Sequence, residues 1–284
     1  MPFLYSMLNY RALQCSSALL ALLLLGGCQQ RSKMEKAAEV TEVGQWVGTG
    51  EQKHRMEVYH SATLSAHPTL LVVLHGDAPF TKPSHQYTLA RQVAQTNPDV
   101  VAVGLLRPGY TDPTGHQSAG QRGEATGDNY TPAVIDAIAG ALTTLKSRYH
   151  AGRVVLAGHS GGAVITAGLL GRHPGLADAA LLAACPCDVT TWRAHMKRRV
   201  GGPIWDQPVA SVSPEQVVAR IPATTRVTLL VGTADSIAPK ELTQAYYQWL
   251  QQRGIPAKLL ELPGLGHEIF LSKAVKQEIT PLLH

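Results

Sequence analysis

The chain has 284 residues, 45% of them hydrophobic and 16% charged, which suits one large globular domain with a sizeable core. The formal charge of +5 is mild, the basic residues are scattered apart from Lys197-Arg198-Arg199, and only 6% of residues are aromatic. That composition argues against a nucleic-acid partner, which asks for a basic stripe interleaved with stacking aromatics; the short cluster reads as a solvated face.

At the amino terminus Arg11 precedes an apolar run at 18–25. The run is too short to span a bilayer comfortably but suits the apolar core of a signal peptide. Leu25-Gly26-Gly27-Cys28 resembles the processing box of bacterial lipoproteins. The resemblance implies a signal over residues 1–27 and lipidation of Cys28. With Gln29 rather than aspartate next, it also implies sorting to the outer membrane of a Gram-negative envelope. Several acyl chains on one cysteine hold a protein to a membrane where one chain does not. An ordinary cleaved signal or a buried apolar helix is the plainer alternative. Residues 28–40 are polar and read as a tether, leaving 41–284 as the folded domain.

"GQWVGTG" and "HRMEVYH" predict two short strands paired as a hairpin. "TLLVVLHG" is a near-continuous apolar run ending at Gly76, the pattern of a central strand buried on both faces. "SHQYTLARQVAQT" has helical spacing at Tyr87, Ala90, Val93 and Ala94, and "DVVAVGLL" is a further buried strand. The loop over 107–130 is rich in Gly, Asp and Thr, and loops of that length are often functional. Thr131 is placed to cap the next helix, with Pro132 in its first position. The stripe of that helix is Val134, Ile138, Leu142, Leu145 and Tyr149.

A strand over 154–157 then runs into Gly158-His159-Ser160-Gly161-Gly162, a G-x-S-x-G turn, with a helix over 163–170 behind it. Such a turn holds its central residue in a strained conformation with the side chain outward. Gly158 and Gly162, which lack a Cβ, keep the turn free of collision. "ADAALLAAC" is the next strand. Beyond it, Cys185 and Cys187 flank Pro186. A bridge across one residue would be cramped, so two free, partly buried thiols are expected, although an exported chain can oxidise them. With no second C-x-C or paired histidine nearby, a metal site is not expected.

Residues 189–220 interrupt the alternation and predict a small cap, or a long loop with one helix. "VTLLVG" is a strand, and the helix after it presents Leu242, Ala245, Tyr246 and Trp249 before Gly254 stops it. "AKLLELPG" is the last strand and "EIFLSKAVKQEITPLL" supplies a final helix. Strands alternating with helices predict an α/β class, with a mostly parallel central sheet covered by helices on both faces.

A serine hydroxyl needs a base to take its proton, and a carboxylate to hold that base in one tautomer. In open parallel sheets such groups sit at the carboxyl ends of strands. Asp235 lies just past "VTLLVG", and His267 lies in a glycine-bearing loop just past the last strand. Asp188 and Asp206 are competing acids, but Asp188 follows the strand next to the serine and Asp206 follows none. His159 competes with His267, yet its place beside Ser160 makes a return onto the hydroxyl difficult. The order Ser160, Asp235, His267 is that of α/β-hydrolases. The oxyanion donors expected with it are the backbone N–H groups of Gly161 and Asp77, with Ala78 the near alternative. His75 reads as structural. Tyr110, Trp192 and Trp205 are candidates for the pocket wall.

From about residue 41 to the end, "LHG", "RPGY", "GHSGG", "VGTADSIAP" and "GLGH" fall in the order of the α/β-hydrolase fold. "SVSPEQVVARI" and "YYQWLQQRGIPAKLLELPGLGH" resemble the catalytic domain of prolyl-oligopeptidase-type or dienelactone-hydrolase-like members. The resemblance implies a serine hydrolase that needs no metal or organic cofactor. A carboxylesterase acting on a small or medium ester comes first and a peptidase of the oligopeptidase type second. A larger lipid substrate is third. No propeller precedes the hydrolase part in these residues, so peptidase specificity built on one is not expected. A surface lipoprotein using the fold only to bind is the remaining alternative, with the membrane as its partner through the lipid anchor.

Overall fold

The computed structural model describes residues 42–124 and 126–284. The expected signal, the expected lipidation at Cys28 and the expected tether lie outside the described residues. The described residues all belong to one unit, residues 38–284.

Eight strands make one sheet: β1 (Glu42–Val47), β2 (His54–His60), β3 (Thr69–Leu74), β4 (Val100–Leu105), β5 (Arg153–His159), β6 (Ala179–Ala183), β7 (Arg226–Gly232) and β8 (Ala257–Leu262). Their order is β1-β2-β4-β3-β5-β6-β7-β8. β2 runs antiparallel to both β1 and β4, while β3 to β8 pair in parallel. This is the α/β-hydrolase fold.

The continuous apolar runs follow from burial on both faces. In β3, Leu70, Val72 and Leu74 point into one core and Leu71 and Val73 into the other. The first core is closed by α2 (Pro132–Arg148), α3 (Gly161–Arg172) and α5 (Lys240–Gln252), through Ile138, Leu142, Val164, Tyr246 and Leu250. The second is closed by α1 (His85–Thr96) and α6 (Lys273–Ile279), through Leu89, Val93, Val275 and Ile279. Thr131 caps α2, its hydroxyl accepting from the Val134 N–H at 3.3 Å, with Pro132 following. In α5 the deepest position near the carboxyl end is Leu250, while the expected Trp249 is only partly buried. The last helix starts later than its composition implies. The Ser272 side chain accepts from Val275 N–H and begins α6 there.

Residues 189–220 form α4 (Val189–Val200), opened by the Asp188 side chain accepting from Thr191 N–H, and three short 3-10 turns. The two cysteines before α4 are not free thiols. Cys185 and Cys187 form a disulfide with Cα atoms 5.1 Å apart, inside the usual range for a bridge. Just before them Ala184 takes a left-handed φ of 49°, which turns the chain as it leaves β6.

Candidate active site

β5 ends beside its neighbour β6: the Ser160 N–H donates to the Ala183 carbonyl at 2.9 Å. The Ser160 carbonyl already accepts from Ala163 and Val164, so the helix begins one residue after the strand stops. Ser160 meets both demands only at φ 51° and ψ −120°, a conformation that costs a non-glycine residue about 1–3 kcal/mol. Glycines make the turn feasible. A Cβ on Gly158 would stand 2.4 Å from the Gly162 carbonyl oxygen, and one on Gly162 would stand 2.4 Å from the His75 carbonyl oxygen.

Three residues from distant parts of the sequence meet at this rim. The Ser160 Oγ lies 3.0 Å from His267 Nε2, and His267 Nδ1 lies 2.8 Å from Asp235 Oδ2. The Asp235 side chain is wholly buried, and its other oxygen accepts the Ile237 and Ala238 N–H groups, each at 2.9 Å. An acceptor-only carboxylate on Nδ1 fixes the proton there. Nε2 is thereby left with its lone pair facing the serine hydroxyl.

The two backbone amides singled out as oxyanion donors come from adjoining segments. Gly161 opens α3, so its N–H is among the helix's unpaired first-turn donors. A Cβ there would come within 2.5 Å of Asp77 Oδ1 and 2.6 Å of the Tyr130 hydroxyl, so the loop after β3 is packed directly on the serine turn. That loop is held by its own side chain. Asp77 accepts from Arg107 Nη1 at 2.8 Å, the Tyr130 hydroxyl at 2.6 Å, the Tyr110 hydroxyl at 3.3 Å and the Gly127 N–H at 3.1 Å. Burial opposes charge on Arg107, and Tyr110, Asp77 and Tyr130 act the other way; with both phenols protonated at neutral pH, the Asp77 carboxylate is the negative charge that faces the guanidinium. Burial, then the Asp77 charge, raises the Tyr130 phenol well above its ordinary range, so it stays a donor. His75 donates from Nδ1 to the Gly76 carbonyl at 2.7 Å and accepts the Arg107 N–H on Nε2 at 3.1 Å. Burial and the nearby Arg107 hold it neutral, well below the usual imidazole range. Its role in the loop is structural.

A cavity of about 370 Å³ opens beside Ser160 and His267, between residues 75–85 and Glu268. The aromatic residues expected in its wall lie elsewhere. Trp192 is buried against Met196, Leu242 and Trp205; its indole N–H donates to the Ile237 carbonyl at 2.8 Å. A Cβ on Gly127 would come within 2.3 Å of its ring. Trp192 and Trp205 therefore fasten α4 to α5 and to the long loop. Tyr110 is buried too, and borders a separate small cavity next to Asp77.

Sequence reasoning missed Arg107, Tyr130 and His159. The first two sit in the loop over 107–130, whose length alone marked it. His159 was set aside because it adjoins Ser160; its ring lies beside that of His267 and donates from Nε2 to the His267 carbonyl at 3.0 Å. Among the described residues, no group of three His, Cys, Asp or Glu side chains is placed to hold a metal ion.

No curated protein matches this sequence. Among solved structures, the chain is similar to the Pyrococcus horikoshii acylaminoacyl peptidase, with 13% identity and a TM-score of 0.64 over 89% of this chain and 41% of that one. It is similar to the Pyrococcus furiosus esterase Pf2001, with 13% identity and a TM-score of 0.62 over 89% and 92%. It is also similar to Est1E from Butyrivibrio proteoclasticus, with 14% identity and a TM-score of 0.61 over 85% and 99%. The chain thus spans about 40% of the length of the acylaminoacyl peptidases it matches. The model of the prolyl oligopeptidase family matches residues 110–284, more than half of the sequence, and this chain belongs to that family.

Proposed function

We propose that this protein is a serine hydrolase that cleaves an ester through an acyl-enzyme. The contact that carries the reading is the continuous path from Ser160 Oγ through His267 to Asp235, at 3.0 and 2.8 Å. In this reading the Ser160 hydroxyl attacks the carbonyl carbon as His267 Nε2 takes its proton. The Gly161 and Asp77 N–H groups receive the developing oxyanion. His267 returns the proton to the leaving oxygen, then draws one from a water that attacks the acyl carbon, and Ser160 is regenerated. Asp235 keeps the imidazole in the required tautomer throughout.

Esterases and acylaminoacyl peptidases both stand among the similar structures, and the choice of an ester rests on the cleft. The cleft holds about 370 Å³ and has Lys82, His85 and Glu268 among its lining residues, a volume near the lower end for ligand pockets. That favours compact substrates over long peptides or fatty acyl chains. Peptidase activity is the second reading, supported by the family match.

A fluorophosphonate probe tests the reaction class. Labelling of the wild type that is lost in Ser160→Ala supports it; an unlabelled wild type leaves a protein that only binds. Aryl esters compared with aminoacyl amides then separate esterase from peptidase. We also propose that residues 1–27 are a signal and that Cys28 carries lipid, holding the domain to the cell envelope. Metabolic labelling with an alkyne fatty acid should mark the wild type and not Cys28→Ser.

A further inference from the structure

We propose that His159 is a positioning residue that ties the loop bearing His267 to the strand bearing Ser160, and so keeps the imidazole in place while Ser160 is acylated. The inference rests on the roles just assigned to Ser160 and His267.

In the sheet β5 and the last strand are separated by β6 and β7. No ladder bond therefore links the strand of the nucleophile directly to the loop of the base. Two side-chain hydrogen bonds cross that gap. One is the Ser160 Oγ to His267 Nε2 contact, at 3.0 Å. The other runs from His159 Nε2 to the His267 carbonyl oxygen, also at 3.0 Å. The first is lost during turnover, because an acylated Oγ has no proton to donate. The second uses no reacting atom, and it can persist through every step.

The surroundings of His159 suit that task. It is buried, its ring stacks on Phe270 at 5.3 Å and 22°, and it lies 4.9 Å from the His267 ring. The His267 carbonyl also accepts the Ile269 N–H at 2.9 Å, so the donor from His159 fastens a turn that is already closed. Because the acceptor is a carbonyl, the proton must sit on Nε2. Burial first, then the neighbouring His267, lowers the His159 pKa to about 4; Glu268 acts in the opposite sense and His85 in the same sense. His159 is therefore uncharged at neutral pH and does not oppose the imidazolium that His267 becomes.

The test compares His159→Gln with His159→Met, side chains of similar length of which only the glutamine has a donor. Stopped-flow hydrolysis of 4-nitrophenyl acetate separates acylation, read from the burst, from deacylation, read from the steady state. His159→Met should lose roughly 10-fold to 100-fold in kcat, as a displaced catalytic group does. Its kcat/KM should fall less, so that acyl-enzyme accumulates, and His159→Gln should recover most of the loss. Wild-type kcat in His159→Met overturns the proposal. So does an equal fall of kcat and kcat/KM in both variants that tracks a lowered Tm. An unlabelled wild type in the fluorophosphonate assay would instead overturn the parent reading.

Discussion

Asp77 and Arg107 form an ion pair of 2.8 Å in which the guanidinium is wholly buried and the carboxylate nearly so. The pair lies under the loop whose Asp77 N–H is assigned to the oxyanion, and its acid also touches the segment at Gly161. An unbalanced carboxylate there would oppose the negative charge that develops on the substrate. Arg107→Met should therefore cost stability and rate together. The expected loss is about 3–5 kcal/mol, the range for breaking one side of a buried pair, measured by urea unfolding. Asp77→Asn weakens the side-chain bonds that hold this loop and so displaces the Asp77 N–H from the oxyanion. It should lower kcat while leaving KM within about 2–3-fold, as expected for an interaction formed only in the transition state.

The strained backbone at Ser160 separates function from stability. Ser160→Ala abolishes activity and keeps a Cβ at φ 51°. Ser160→Gly also abolishes activity but removes the strain. The glycine variant should be more stable than the alanine variant by about 1 kcal/mol, a difference of several degrees or less in Tm. Equal melting temperatures would show that the turn stores no strain.

Acid should destabilise the fold before its carboxylates are protonated. Burial lowers His54 from 6.5 to about 4; burial and His267 lower His159 to about 4; and His75 is also depressed by burial. Below pH 6.5 the unfolded chain takes up protons that the folded chain refuses. The stability from these groups is thus complete above about 6.5 and is lost as pH falls toward 4. Among the described residues, neither ring nitrogen of His54 has a hydrogen-bond partner. His54→Leu should therefore flatten the acid limb of a Tm-against-pH curve. At neutral pH it should gain about 1 kcal/mol, because a buried unpaired polar group is removed.

The cleft makes a prediction about substrates. Its volume is about 370 Å³, with Lys82, His85 and Glu268 on the wall near Ser160, so a long acyl chain outgrows it. Activity on 4-nitrophenyl esters should peak at short chains and fall by octanoate. Lys82→Glu should discriminate against an anionic acyl group such as hemisuccinate, by about 2–5-fold in kcat/KM, the range of an exposed charge pair. A profile that rises steadily to long chains would contradict this picture of the cleft.

The strands were legible because β3 to β6 are buried on both faces and their residues form apolar runs. The serine turn was legible because its glycines have no room for side chains. Asp235 and His267 followed from strand ends and chain order. The support of the site was not legible. The partners of Asp77 lie 30 to 53 residues away, and nothing local distinguishes Arg107 or Tyr130 from other loop residues. His159 was discounted because adjacency to Ser160 bars only one direction of its ring. Trp192 and Trp205 have the composition of a pocket wall, but the placement of α4 against α5 turned them into packing. The spacing of the cysteines argued for thiols because a bridge across one residue looks cramped, yet their Cα atoms stand 5.1 Å apart.

The ring closed by Cys185 and Cys187 spans a single intervening residue, so it restricts the unfolded polypeptide far less than a long cross-link would. Its influence is local: it holds the peptide around Pro186 from extending at the junction between β6 and α4. Both sulfurs are sealed from solvent, and a soluble reductant gains access only when that junction opens. The rate at which dithiothreitol exposes alkylatable thiols in the native protein is therefore a clock for local breathing, one bend away from the strand that abuts the serine turn.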